Sequence, residues 1–293
     1  MKKHLFAFTY LLMILGFMSC KSQKQKELES GFIDVDGGRI YYEVKGQGEP
    51  LILLHPGLTD LRMWKQQVNE LSKNFRVICY DQRGYGKSDL PSKKYAPNTD
   101  LLTLMDSLKI EKADIVGICM GALHAMEFAI EYPEKVNSLA LSGISFLNWK
   151  YPDNVIKKHI EFSSIAAEGP EKAIETIKTD PFWKQTIPSD IYKPAQESFL
   201  ELLESNKKAF SANWQYKEQK YNTMDKISEI NIPVLVIRPE NEVDYMIEIG
   251  DYLVKNLRKV EQIQIKGAGH LSNMEEPQKF NKIVIDFLNL YKN

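Results

Sequence analysis

The chain has 293 residues, 43% of them hydrophobic, and a formal net charge of −1. That balance gives no electrostatic reason to expect nucleic-acid binding or a basic membrane patch, and the length suffices for one large, well-filled domain plus an insertion. Three cysteines do not make a disulfide framework.

The N-terminus reads as an address. Lys2 and Lys3 precede an apolar run over residues 5–18, too short to cross a bilayer comfortably, and Ser19-Cys20 follows. Phe17-Met18-Ser19-Cys20 resembles a loose bacterial lipoprotein box, with Phe17 at the usual leucine-like position and Met18 where a small residue is common. The resemblance implies a signal peptide over residues 1–19, lipidation of Cys20 and a polar tether over residues 20–30. The expected location is the bacterial cell envelope, with the membrane reached only through that lipid. A secreted or periplasmic protein is the alternative.

Residues 32–35 and 40–44, joined by Asp36-Gly37-Gly38, read as an antiparallel hairpin. Residues 51–54 form a continuous apolar strand ending in His55-Pro56-Gly57, and Trp64, Val68 and Leu71 then recur at helical spacing. Residues 77–80 make another buried strand, in which Cys79 reads as a small core hydrophobe. A turn-rich stretch over residues 81–88 follows, and Leu101, Leu102, Met105 and Leu108 mark a helix face. A short strand at residues 114–116 runs into Gly117-Ile118-Cys119-Met120-Gly121, which opens a helix-patterned stretch over residues 122–130. This G-x-C-x-G is the layout of a nucleophile elbow: small residues are needed two positions either side because the nucleophile occupies a strained strand-to-helix turn.

The next strands are residues 138–142 and 233–237, and the gap between them is too long for a loop. Helix-like segments and many aromatics fill it, among them Trp149, Phe162, Phe182, Trp183, Phe199, Phe210, Trp214 and Tyr216. It reads as a helical cap over residues 146–230, inserted into a core of residues 31–145 and 231–293. Most of its rings are expected to form the cap's own core, with two or three lining a pocket. A strand at residues 262–265 and a helix carrying Phe280, Ile283, Val284 and Phe287 complete the chain. Strands alternating with helices imply a mostly parallel sheet covered on both faces.

Four pieces of sequence carry a family resemblance: Leu53-Leu54-His55-Pro56-Gly57, the Asp81-x-Arg83-Gly84-x-Gly86-x-Ser88 turn, the Cys119 elbow, and Gly267-Ala268-Gly269-His270-Leu271-Ser272-Asn273. From about Gly31 onward the chain resembles an α/β-hydrolase of the capped, lactonase- and esterase-like kind. That implies an eight-stranded, mostly parallel sheet with helices on both faces and an inserted helical cap. It also implies a catalytic triad in the order nucleophile, acid, base, with Cys119 as nucleophile and His270 as base. Register against the family's usual Gly-Glu-x-Asp pattern puts Glu242 in the acid position, with Pro239 replacing the glycine. Asp244 is the alternative acid. The oxyanion donors expected by resemblance are the backbone N–H groups of Met120 and Gly57, with Leu58 as the alternative, since Pro56 has no N–H. Asp81, Arg83 and Ser88 are expected to fix their turn, His55 to belong to the turn beside the oxyanion site, and His124 and His159 to be structural or exposed.

A helix N-terminus and a neighbouring imidazole both favour thiolate at Cys119. The implied reaction attacks a carboxylic ester or lactone, holds a tetrahedral oxyanion and forms a thioester on sulfur. Acyl transfer or thioesterase activity through the same thiol is an alternative, and a catalytically inactive binding module is another. Dehalogenase and epoxide hydrolase chemistry need a carboxylate at the elbow, which Cys119 does not supply. The implied partner is a small ester, lactone or thioester. No metal cluster or phosphate-cradling glycine loop is visible, so neither metal nor cofactor is expected. Physiological substrate, oligomeric state and membrane leaflet stay open.

Overall fold

Four consecutive apolar residues, Leu51, Ile52, Leu53 and Leu54, cannot make a strand with one wet face. All four are fully buried, with Leu51 and Leu53 in one hydrophobic cluster and Ile52 and Leu54 in another on the opposite side of the sheet. The computed structural model describes residues 28–212, 214–218 and 221–291. The expected signal peptide and the expected lipidation site at Cys20 lie outside the described residues.

The N-terminal hairpin is β1 (Glu29–Val35) and β2 (Gly38–Lys45). The expected tether boundary at residue 30 is therefore late. Glu29 and Ser30 already pair with Val44 and Glu43, which gives their backbone groups partners in the sheet. The turn is also one residue shorter than expected, because Gly38 opens β2 and Gly37 takes the left-handed conformation at φ 86°.

The core continues through β3 (Pro50–Leu54), α1 (Lys65–Leu71), β4 (Arg76–Tyr80), α2 (Pro97–Ser107), β5 (Ala113–Ile118), α3 (Met120–Glu131) and β6 (Val136–Ser142). Five helices follow before the sheet resumes: α4 (Asp153–Ala167), α5 (Pro170–Thr179), α6 (Pro181–Lys184), α7 (Lys193–Ser205) and α8 (Thr223–Lys226). The chain then runs through β7 (Val234–Pro239), α9 (Asp244–Asn256), β8 (Val260–Ile265), α10 (Ser272–Glu275) and α11 (Pro277–Leu290).

One eight-stranded sheet results, in the order β1-β2-β4-β3-β5-β6-β7-β8. The β1–β2 and β2–β4 pairs are antiparallel and every other pair is parallel. Leu101 of α2, Phe128 of α3 and Leu253 of α9 pack on one face, while Trp64, Leu71 of α1 and Phe287 of α11 pack on the other. This is the mostly parallel, two-faced sheet that the alternating pattern implies. Because β3, β5, β6 and β7 run parallel, the loops after them converge at one edge, where open α/β sheets place their sites.

The α4–α8 segment is tied to that edge by named contacts. The Asn206 amide donates to Asp60 Oδ2 at 2.9 Å and accepts from the Gly86 N–H at 2.7 Å. The Ser189 N–H donates to Glu275 Oε1 at 3.1 Å, and the Tyr192 hydroxyl donates to Glu276 at 3.0 Å.

Candidate active site

Cys119 stands between β5 and α3 with φ 53° and ψ −116°, a conformation an L-residue adopts only when its surroundings impose it. Its N–H donates to the Ser142 carbonyl at the end of β6 (2.9 Å), and its own carbonyl accepts from Ala122 and Leu123 of α3. The flanking glycines are steric necessities. A Cβ at Gly117 would lie 2.5 Å from the Gly121 carbonyl oxygen, and one at Gly121 would collide with the Leu54 carbonyl of β3. The elbow thus forms because two adjacent elements can approach backbone to backbone.

His270 lies on the loop after β8 and is buried. Its Nδ1 donates to both carboxylate oxygens of Glu242, at 3.0 Å each, and its ring lines the same cavity as Cys119. With Nδ1 so engaged, Nε2 is the nitrogen left for sulfur. Glu242 is buried on the loop after β7 and is steadied by the Val243 N–H at 2.9 Å. Asp244, the alternative acid, is exposed as the first residue of α9. The structure therefore brings Cys119, His270 and Glu242 together and leaves Asp244 outside.

Burial alone would lower the affinity of the His270 ring for a proton. The Glu242 charge, the hydrogen bond to Glu242 and the neighbouring Cys119 outweigh it, holding the imidazole well above its ordinary value of 6.5. A raised folded value means that the pair's contribution to stability is complete below the unfolded value and is lost as pH climbs through the folded one. The stability advantage of the native chain over Glu242→Gln is accordingly expected to shrink as pH is raised above about 6.5. Urea unfolding of both chains across that range measures it, and an advantage that grows with pH would contradict the assignment.

The turn after β3 brings Gly57 and Leu58 to the cavity beside Cys119, and Met120 is the first residue of α3. Leu58 has φ 66°, in the left-handed region. Among the described residues the N–H groups of Gly57 and Met120 have no acceptor. Beneath this turn Gln82 bonds two histidines. Its N–H donates to His55 Nε2 (2.9 Å), its side-chain amide donates to the His55 carbonyl (2.6 Å), and its Oε1 accepts from His124 Nδ1 (2.6 Å). Burial pushes His55 down to about 4 and His124 to about 3, so both rings are neutral spacers joining the β3 turn to α3.

Asp81, Arg83 and Ser88 fix the following turn. The Asp81 carboxylate accepts the N–H groups of Leu61 (2.9 Å) and Lys87 (2.7 Å), Arg83 forms a buried two-pronged pair with Asp100, and Ser88 Oγ bridges the Asp81 carbonyl and the Tyr41 N–H. Cys79 is buried in β4.

A cavity of about 530 Å³ opens over Cys119 and His270, roofed by α4, α6 and α7. Of the eight aromatics singled out in the insertion, Trp183 and Phe199 line it. Phe162 and Phe182 pack on Trp183, whereas Trp214 packs at a tilt on Tyr85 and Tyr216 likewise on Tyr95 of the core. Four residues escape sequence reasoning. His159, expected to be structural or exposed, lines the cavity from α4. Tyr245 reaches it from the first turn of α9. Gly143, after β6, leaves room for the His270–Glu242 pair, since a Cβ there would sit 2.6 Å from His270 Cε1 and 3.0 Å from Glu242 Oε2. Glu275 is buried and accepts the N–H groups of Gly269 and Ser189, joining the His270 loop to the inserted helices; burial raises its proton affinity despite those bonds. A glycine or glutamate without a motif around it carried no signal. Among the described residues no cluster of His, Cys, Asp or Glu is arranged to hold a metal ion.

Residues 49–277 match the model of the α/β-hydrolase fold family. The chain is similar to 3-oxoadipate enol-lactonase 2 of Acinetobacter baylyi, with 26% identity over 257 residues that cover 84% of this chain and 91% of the relative. It is also similar to a carboxylesterase of Bacillus subtilis, with 26% identity over 280 residues covering 89% and 87% of the two chains. The crystal structure of the enol-lactonase from Burkholderia xenovorans superposes with a TM-score of 0.76 at 25% identity, covering 88% of this chain and all of the other. With most of its length matched by the family model and its sheet in the corresponding order, the chain belongs to the α/β-hydrolase fold family.

Proposed function

We propose that this chain cleaves carboxylic esters or lactones through a Cys119–His270–Glu242 triad and a thioester intermediate. Ester- and lactone-type hydrolysis is the activity of its relatives, the enol-lactonases and carboxylesterases, and the chain is an ester-acting enzyme of that kind. The observation that carries the finer reading is the buried His270, hydrogen-bonded to Glu242 at 3.0 Å and lining the same cavity as Cys119.

The cycle follows from that geometry. Sulfur adds to the carbonyl carbon as thiolate, its proton already held on His270, and the oxyanion is received by the N–H groups of Gly57 and Met120. As the tetrahedral adduct collapses, its C–O bond breaks and His270 returns the proton to the leaving alkoxide, so that alcohol departs and a thioester remains. Water then gives a proton to His270 and adds to the thioester carbonyl, and collapse of that second adduct releases the acid and restores the thiolate. Glu242 holds the imidazole in one tautomer and offsets the imidazolium charge. The inserted helices serve as a cap over the cavity, and the N-terminal segment serves to tether the enzyme to the cell envelope.

Thiolates leave more readily than amines, so an amide adduct would revert; esters, lactones and thioesters fit the site better. Incubating the protein with a chromogenic short-chain ester should give turnover, an acyl adduct on Cys119 by mass spectrometry and complete block by iodoacetamide. Turnover that survives full alkylation of Cys119 would refute the thioester route.

A further inference from the structure

We infer that the cavity takes a neutral ester with a hydrocarbon acyl chain and rejects an acyl chain that ends in a carboxylate. The inference rests on the reading of Cys119 as the acylated residue, and deepens it. Its basis is the chemistry of the walls. Among the described residues no Lys, Arg, Asp or Glu lines the cavity over Cys119; beyond the elbow the walls are supplied by groups such as Phe146, Val155, Trp183, Phe199 and Met246. The entrance continues in the same chemistry. Ile160, Ile156 and Leu147 line it and remain 63%, 45% and 77% exposed, apolar side chains left in water where an acyl chain would enter.

The polar atoms that remain carry no counter-charge for an anion. The Tyr151 hydroxyl donates to the Phe146 carbonyl at 2.7 Å. Tyr245 is buried beside the elbow, and its hydroxyl has no hydrogen-bond partner among the described residues. It can meet an ester oxygen but cannot neutralise a carboxylate. His159 stands edge-on to Trp183 at 5.0 Å, and burial lowers its proton affinity, so it faces the cavity as a neutral ring. The neighbouring cations on α4 are committed elsewhere: Lys158 pairs with Asp180 at 2.8 Å and does not line the cavity. The charge on the His270 ring is already matched by Glu242 at 3.0 Å, so a carboxylate entering here would shed its water with no unpaired cation to replace it, and an unpaired charge in such surroundings is strongly disfavoured.

A matched pair of substrates tests this: the p-nitrophenyl ester of hexanoic acid and the mono-p-nitrophenyl ester of hexanedioic acid, equal in carbon count and differing in the terminal carboxylate. At neutral pH the neutral ester is expected to have kcat/KM higher by about 100-fold or more. Leu147→Arg, at an exposed rim position, is expected to narrow that ratio by raising the rate for the anionic ester. Ratios within about 3-fold, or a preference for the anion, would overturn the inference. Binding of both esters to Cys119→Ala, followed through tryptophan fluorescence, separates the two readings. Selective binding of the neutral ester, in a native chain that turns over neither, would refute the Cys119 chemistry and leave the cavity's selectivity standing. Equal binding of both would refute the selectivity whatever the chemistry.

Discussion

Replacing Cys119 with alanine is expected to lower ester turnover by about 10⁴- to 10⁶-fold while leaving the fold intact, because in the proposed triad one member removed alone costs nearly as much as the whole set. The variant changes one atom on a side chain whose backbone is held by other means. The Cys119 N–H still donates to Ser142, its carbonyl still caps α3, and Gly117 and Gly121 still permit the close approach to β3. Residual activity would come from the oxyanion donors and from binding alone. Serine is the informative companion. Its hydroxyl binds its proton far more tightly than a thiol, so His270 must do more work at the moment of attack, and the acylation step is expected to slow more than deacylation. Burst kinetics with a chromogenic ester separates those steps. An alanine variant within about tenfold of the native rate would remove Cys119 from the mechanism.

What the sequence made legible was whatever a backbone constraint or a strict pattern writes locally. The elbow could be read because only glycine fits at 117 and 121, and the sheet because the strand at 51–54 is apolar without alternation. Glu242 could be told from Asp244 only as a matter of register, and the structure supplies the physical reason. Helix α9 begins at Asp244, which turns that side chain outward, whereas Glu242 lies in the preceding loop and folds back on His270. The cavity walls were illegible for a different reason. Trp183 and Phe162 are chemically alike and both belong to the insertion, yet only Trp183 faces the space over Cys119. That choice depends on how α4 and α6 pack together, which no local pattern encodes. Glu275 bonds Ser189, 86 residues before it in sequence, as well as Gly269, and Gln82 bonds His55 and His124, which lie 27 and 42 residues from it. Contacts of that span exist only once the chain has folded.

Gly143→Ala is expected to reduce kcat by about 100-fold or more, although the residue carries no chemistry and belongs to no recognised motif. Two effects add. The position has φ 57°, a left-handed conformation that costs a non-glycine residue about 1 kcal/mol. The larger effect is steric: the new Cβ would lie 2.6 Å from His270 Cε1 and 2.7 Å from Nδ1, inside any real contact distance. Its obstruction on the other side is Glu242 Oε2 at 3.0 Å, so the methyl group wedges at the hydrogen bond that holds the imidazole. Because Ser142, one residue earlier, anchors the Cys119 N–H, β6 cannot simply retreat without moving the elbow as well. The imidazole must therefore rotate away from sulfur, and a displacement of that order at a reacting group costs about 100-fold. Gly169→Ala provides the control for backbone strain. Its φ of 139° is less welcoming to alanine than that of Gly143, yet a Cβ there meets only Glu171 Oε2 at 3.7 Å, away from the cavity lining. Both variants should unfold at slightly lower urea concentration than the native chain, and only Gly143→Ala should lose turnover. Native-like kcat in Gly143→Ala would mean that His270 does not act from the position in which it is held between Glu242 and Cys119.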